Sequence, residues 1–221
     1  KPHIKSCVKR YAALPMVLAT EYFNGVAVEN PALTLAYDGA ALFSDVDGNG
    51  ADRMGVSGGN ILTGSGATVA GVIHDAARVQ QRLLSMKDPT AGKPIFDEST
   101  ASYNNMVAII PPALNEVFQK ATGSELIRIS NDNNVSESNF MKGTFSYMQN
   151  PYLTDTSDWY MVLNNDFWKP FVFIAPEDIQ TVLADVNNSD RAREFNENII
   201  YTHIRTSLGV FFPGCIVKVN N

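Results

Sequence analysis

The stretch MVAIIPPALNEVFQKATGSELIRISNDNNVSESNFMKGTFSYMQNPYLTDTSDWYMVL, residues 106–163, decides the fold. A short apolar run from Met106 to Ile110 reads as a buried strand that stops at Pro111-Pro112. Proline is tolerated in the first turn of a helix, where its locked φ fits and its missing N–H is not needed. Leu114, Val117, Phe118 and Ala121 then recur at helical spacing, and Gly123 is a natural stop. An Asn-, Asp- and Ser-rich loop follows, then a β stretch around Phe145 to Met148, a turn at Asn150-Pro151 and a strand through Trp159 to Leu163. No nucleophile is grouped with a base anywhere in this stretch. It reads as architecture.

Composition bounds what surrounds it. With 221 residues, 45% of them hydrophobic and 18% charged, the chain is globular and long enough for one large domain or two small ones. The low charge leaves much uncharged surface, which suits a protein that meets many neighbours. Net charge is −6 and no run of Lys or Arg forms a stripe, which disfavours direct DNA binding by phosphate neutralisation. An acidic wall around DNA is a different matter, because it would repel its contents and let them slide. No apolar run approaches a membrane span, and no signal-peptide pattern opens the chain. Because residue 1 is a lysine, the chain is expected to be trimmed or incomplete at that end. Cys7 and Cys215, far apart, read as reduced thiols and not as a disulfide framework.

Outward from the central stretch, residues 5–28 have a mixed helical pattern, with Pro15 starting or kinking a helix and Asn24-Gly25 ending it. Asp38-Gly39 sits between β-like segments, the signal for a hairpin. Ser44 to Gly66 is rich in glycine and poor in core-formers, which predicts a long mobile loop. From Ala67 to Met86 the period becomes helical. Val69, Val72, Ile73, Ala76, Val79 and Leu83 line one side, with Asp75, Arg78 and Arg82 largely off it. On the far side, Pro170 to Ile174 reads as a strand, the segment from Pro176 as a short helix start, and Asn187 to Asp190 as a loop. Residues 194–219 read as two or three strands broken at Ser207-Leu208-Gly209 and Pro213-Gly214.

The order of these features resembles a known family. Strand, Pro-Pro-Ala-Leu helix, Lys142-Gly-x-Phe145, Asn150-Pro-Tyr-Leu-Thr-Asp155 and Trp159-Tyr160 follow one another as in the major capsid proteins of tailed bacteriophages, most like the Mu-like prophage major head subunits. Tyr37-Asp-Gly-x-x-Leu-Phe-Ser44 and the pattern Asn198, Ile200, Arg205, Leu208, Val210, Pro213, Ile216, Lys218 extend the likeness over roughly residues 33–219. The resemblance implies an α+β, HK97-type capsid fold. Its parts would be an N-terminal arm and short helix (1–32), a two-stranded extended loop reaching over a neighbour (33–62), a P domain with a long spine helix (63–105 and 192–221), and an A domain (106–191). It further implies self-assembly into pentamers and hexamers that close an icosahedral head around phage DNA. Scaffold, protease and portal would be partners, no membrane would be involved, and the protein would sit in the virion capsid after assembly in the bacterial cytoplasm. Some members crosslink through an extended-loop lysine, but no lysine lies between Leu33 and Asn60, so non-covalent contacts are expected.

Patterns that could carry chemistry are weak. Asp45-Val-Asp47-Gly-Asn49-Gly50 opens like a calcium loop, yet the ninth position is Arg53 and the twelfth, which should be Glu, is Val56; a polar turn is the better reading. Gly64-Ser65-Gly66 lacks the lysine of a phosphate loop. His3, His74 and His203 form no metal-ligand spacing with the cysteines; His74 reads as solvated or at an interface and His203 as partly buried in a sheet. No Ser stands in a nucleophile elbow, and pairs such as Asp155/Asp158 and Glu194/Glu197 read as solvated carboxylates. The expectation is therefore a structural protein with no catalytic residues, metal or cofactor. Asp75, Arg78 and Arg82 on the long helix, with Glu197 and Arg205 on the last strands, are candidates for salt bridges between subunits. Two alternatives stay open. One is an encapsulin-type compartment of the same fold, and the other is a soluble hydrolase or ligand-binding domain using the loop at 131–139.

Overall fold

The computed structural model describes residues 13–25, 35–127, 137–184, 190–195 and 199–221. The body is a five-stranded mixed sheet in the order β1 (Ile61–Thr63), β9 (Ile216–Asn220), β6 (Trp159–Leu163), β2 (Met106–Ile110), β5 (Ser146–Gln149). The two outer pairs are parallel and the two inner pairs antiparallel. Alternation along the central strands sorts side chains to two cores, as a period of two demands. Met106, Ala108 and Ile110 of β2, Trp159, Met161 and Leu163 of β6, and Val217 and Val219 of β9 enter the larger core. Tyr160, Val162, Ile109 and Ile216 face the smaller one on the other side.

Helices cover both faces. On the larger core lie α2 (Val69–Ser85) and α3 (Asn115–Gly123). Thr68 caps α2 by accepting the Gly71 N–H at 3.1 Å. A side chain at Gly71 would meet the Gly66 carbonyl at 2.2 Å, so only glycine lets the entering loop lie against this first turn. Val72, Ile73, Ala76, Val79 and Leu83 are buried, as the helical period requires. At about 1.5 Å per residue α2 is about 26 Å long. Pro112 to Leu114 form a 3₁₀ turn that leads into α3, whose Phe118 and Ala121 are buried. The smaller core is closed by α1 (Leu14–Phe23), with Pro15 in its first turn. The Asn150 amide donates to the Thr20 hydroxyl at 2.7 Å, and the Asn24 amide donates to the Tyr152 carbonyl at 3.0 Å. The Asn-Pro turn is therefore the seat of α1.

Beyond the sheet stands a two-stranded antiparallel ribbon, β7 (Phe171–Ala184) against β8 (Ile199–Val210). It corrects several expectations. The segment from Pro176 is strand and not helix: the ladder shifts register between Ile174 and Glu177 and again before Gln180. A proline without an N–H is accommodated at such an irregularity. Ser207-Leu208-Gly209 lies inside β8, and the break falls at Pro213-Gly214, where a 3₁₀ turn precedes β9. Asp190 begins a short helix, α4 (Asp190–Phe195), near the far end of the ribbon. His203 pairs with Gln180 and is exposed, because no described residue covers the ribbon there. The remaining small sheet is β3 (Leu126–Ile127) with β4 (Glu137–Ser138). Together these make a mixed α+β fold with four helices among the described residues.

The glycine-rich segment is neither a mobile loop nor a two-stranded hairpin. Residues 35–60 are turns joined by isolated bridges, Leu35 with Ala41 and Val46 with Asp52. Its strongest anchor is Arg53, 1% exposed. The guanidinium grips Asp38 with both arms, at 2.7 and 2.9 Å, and donates to the Ala41 and Leu42 carbonyls, each at 2.8 Å. Asn60, also buried, donates to the carbonyls of Leu42, Pro213 and Ile216 at 2.8, 3.2 and 3.2 Å. These bonds tie the segment to the start of β9. Met54 takes a left-handed φ of 54°, which turns its side chain inward against Gly214.

Candidate functional site

The long helix carries three of the five residues expected at subunit contacts, and the structure spends them inside the chain. Asp75 is 0% exposed. It accepts the Ser65 N–H and hydroxyl, both at 2.7 Å, and one Arg78 arm at 3.1 Å. The His74 ring lies 2.9 Å from the Ser65 hydroxyl. Arg78 also donates to the Thr63 carbonyl at 2.8 Å. Arg82 donates to the carbonyls of Ser57 and, at 3.3 Å, Gly59. Burial and the neighbouring Arg78 cation push the Arg82 pKa down. Asp75, enclosed within the chain, pins the loop 63–66 to α2. The helical period placed Asp75 off the apolar face, but the entering loop passes over that side and covers it.

Ser65, His74 and Asp75 lie close together, and the geometry is not that of an activated nucleophile. The serine hydroxyl donates to the aspartate, so its proton points away from the imidazole. Arg78 and Arg82 also line an open cleft with Ser57, Gln81 and Ser85.

Arg205, the fourth candidate, lies in the ribbon, 3.8 Å from Glu177 on the facing strand. Both are solvent-exposed, so this pair contributes little to stability. Glu197, the fifth, lies outside the described residues, as do His3, Cys7 and most of the loop at 131–139. The calcium-like opening is a polar turn: Asp47 accepts the backbone N–H groups of Asn49 and Ala51 at 2.9 and 3.0 Å. Cys215 is a free buried thiol in the larger core, and burial pushes its pKa up to about 12. Burial likewise raises the Tyr160 pKa; its hydroxyl donates to the Phe23 carbonyl at 2.9 Å. Among the described residues no cluster of His, Cys, Asp and Glu could hold a metal, and no helix is long and apolar enough to cross a membrane.

What sequence reasoning missed is the ribbon. Its face bearing Phe171 and Leu208 turns toward α1: Phe171 lies 5.6 Å from Tyr22 and 5.8 Å from Phe23, ring to ring. The Tyr22 hydroxyl donates to the Leu208 carbonyl at 2.6 Å. Beside this root is an apolar hollow of about 190 Å³, lined by Met16, Phe23, Ile109, Met148, Val162 and Phe171. Farther out, Val172, Phe173, Ile174, Val182 and Tyr201 are all 41–54% exposed. Among the described residues, neither strand has a further strand beside it. The β-branched and aromatic runs were the signal, but such runs ordinarily mean a buried strand. Here they mark apolar surface that the described residues do not cover.

No protein-family model matches the chain. No curated protein matches it. A solved structure that does match is a virus-like particle from Pyrococcus furiosus, with a TM-score of 0.40 and 11% sequence identity. The match covers 73% of this chain and 56% of that one, so this chain spans little more than half the length of the particle's chain.

Proposed function

We propose that this chain is a shell subunit: the major capsid protein of a Mu-like tailed phage or prophage, with an HK97-type arrangement. Its copies associate as pentamers and hexamers that close around DNA. The observation that carries the reading is the ribbon. A two-stranded ribbon is marginal alone in water, and open edges with apolar faces are an aggregation hazard for a monomer. A subunit that always meets neighbours has a use for both. The order of motifs along residues 33–219 supports the same reading. In it, residues 63–105 and 192–221 form the P domain around α2 and residues 106–191 the A domain, with residues 33–62 held against the body by Arg53 and Asn60. The division at 191/192 then falls within α4, near the far end of the ribbon.

Chemistry is not part of the proposed role. Assembly alone does the work, since ring closure makes individually modest contacts collectively strong. Electron microscopy of the purified chain, expressed with the scaffold and protease encoded beside it, tests this. Closed shells or rings of five and six copies are expected, with nucleic acid inside particles made during infection. Shells that enclose a protein and exclude DNA point to an encapsulin-type compartment. A chain that stays monomeric with its scaffold present overturns the reading.

A further inference from the structure

The ribbon root has two faces, and the described residues occupy one of them. In an antiparallel pair, residues directly opposite share a face, and every second residue joins them. Phe171 opposite Val210 and Phe173 opposite Leu208 make the face toward α1. Val172 opposite Gly209 and Ile174 opposite Ser207 therefore make the outer face. Phe211 extends it, because its N–H bonds to the Pro170 carbonyl at 2.8 Å in the same ladder.

This outer face is uneven in an ordered way. On β7 it carries Val172 and Ile174, 41% and 54% exposed, which stand up as a ridge. On β8, opposite that ridge, it carries Ser207 and Gly209, whose small size leaves a trough between Arg205 and Phe211. No atom lies within 4 Å of where a Cβ on Gly209 would be, and its φ is not left-handed. Nothing among the described residues calls for glycine at that position. The backbone would accept any side chain, and the space is open.

We infer that ridge and trough are a contact between two copies of this chain, the Val172–Ile174 ridge of each seated in the Ser207–Gly209 trough of the other about a two-fold axis. The inference rests on the shell reading. The surface is self-complementary: the bump and the hollow that fits it lie side by side on one face, so a second copy supplies both halves. The amount of surface fits as well. A fully exposed large apolar side chain offers about 200 Å². Val172, Ile174, Val182, Tyr201 and Phe211, each about half exposed, thus offer on the order of 500 Å² of apolar surface along the ribbon, and with the usual apolar share of just over half this corresponds to the ~800 Å² per partner of a standard interface.

The test is the association of the full chain with Gly209→Lys or Ile174→Lys, followed by sedimentation velocity over rising concentration. Both positions are open to solvent in the single subunit, so the unfolding midpoint of the dilute chain stays unchanged. In the contact each lysine would be buried against apolar surface. The association constant should fall about a hundredfold, the scale of losing a central contact. A second measurement does not depend on weakened binding. Copies bearing Ile174→Cys are mixed with copies bearing Gly209→Cys, with Cys7→Ser in both. A disulfide between the two kinds of copy is expected, since it requires Cα atoms within about 7 Å. If the lysine variants assemble as well as the parent and the mixed disulfide fails to form, the ridge-and-trough contact is overturned while the shell reading stands. If the parent itself never associates, even with its scaffold present, both fall.

Discussion

The glycine-rich segment 35–66 and the ribbon 171–210 invert what their compositions announce. The first has little to bury and yet is fixed, because one guanidinium and one carboxamide satisfy the backbone groups that its turns leave over. The second is rich in Val, Ile, Phe and Tyr and yet stands partly in solvent, because it has only one layer to lie on. Order inside a chain follows from whether groups find partners, polar or apolar. Apolar composition says that a surface will be covered. It does not say by which chain.

The comparison breaks most easily at Arg53. Replacing it with alanine leaves Asp38, largely enclosed, without its cation and two carbonyls without donors. A loss of about 3–5 kcal/mol is expected, as for other broken buried pairs, read from the urea midpoint. A loss under about 1 kcal/mol would mean that the turns hold themselves. Asp75→Ala comes next. It removes the acceptor for Ser65 and Arg78, and since Arg78 is one-third exposed and water can replace the lost partner, about 2 kcal/mol is expected. Lowering the pH acts more gently. Asp155 is held below the usual carboxylate range by the N–H groups of Asp158 and Ser157, and Asp88 and Asp97 by similar turn bonds. With folded values depressed, the stabilisation is complete above the unfolded pKa of about 4 and is lost as pH falls through the folded values. The melting temperature should therefore be flat from pH 7 to 5 by these groups and drop below about 4. On the ribbon, Glu177→Ala should change the stability of the dilute chain by less than about 0.5 kcal/mol. A larger cost would show that the ribbon is held from within. The smallest effect is no effect: Cys215 should resist alkylation in the native protein by peptide mass spectrometry, and react on unfolding.

The body was legible from sequence because its signals are local and periodic. Pro111-Pro112, the helical spacing of Leu114, Phe118 and Ala121, and the run from Trp159 to Leu163 each fix an element by itself. The long helix followed from Val72, Ile73, Ala76, Val79 and Leu83. What escaped was set at a distance. Arg53 looked like a stray cation in a polar turn, and only its approach to Asp38 and to the carbonyls of residues 41 and 42 makes it an anchor. Asp75 lies off the apolar side by its spacing, and helical period knows nothing of the loop that passes over it. Pro176 pointed to a helix start, while the pairing of residues 171–184 with residues 199–210 absorbs it at a register shift. The candidate contact residues fared as their spacing allowed: Arg205 is exposed on the ribbon, and Asp75, Arg78 and Arg82 serve the loops beside their own helix.

The ribbon also has a mechanical meaning. It extends about 40 Å along its strands and is fastened at its root by the Tyr22–Leu208 bond and the rings of Phe23 and Phe171. A pull along its axis on one strand loads the ladder in shear, where many bonds share the force. A sideways push on its tip acts through a long lever on those few root contacts, and they hand the load to α1 and the turn at Asn150. Such an arm resists tension and yields to bending, so a body that grips another by it can tilt without letting go.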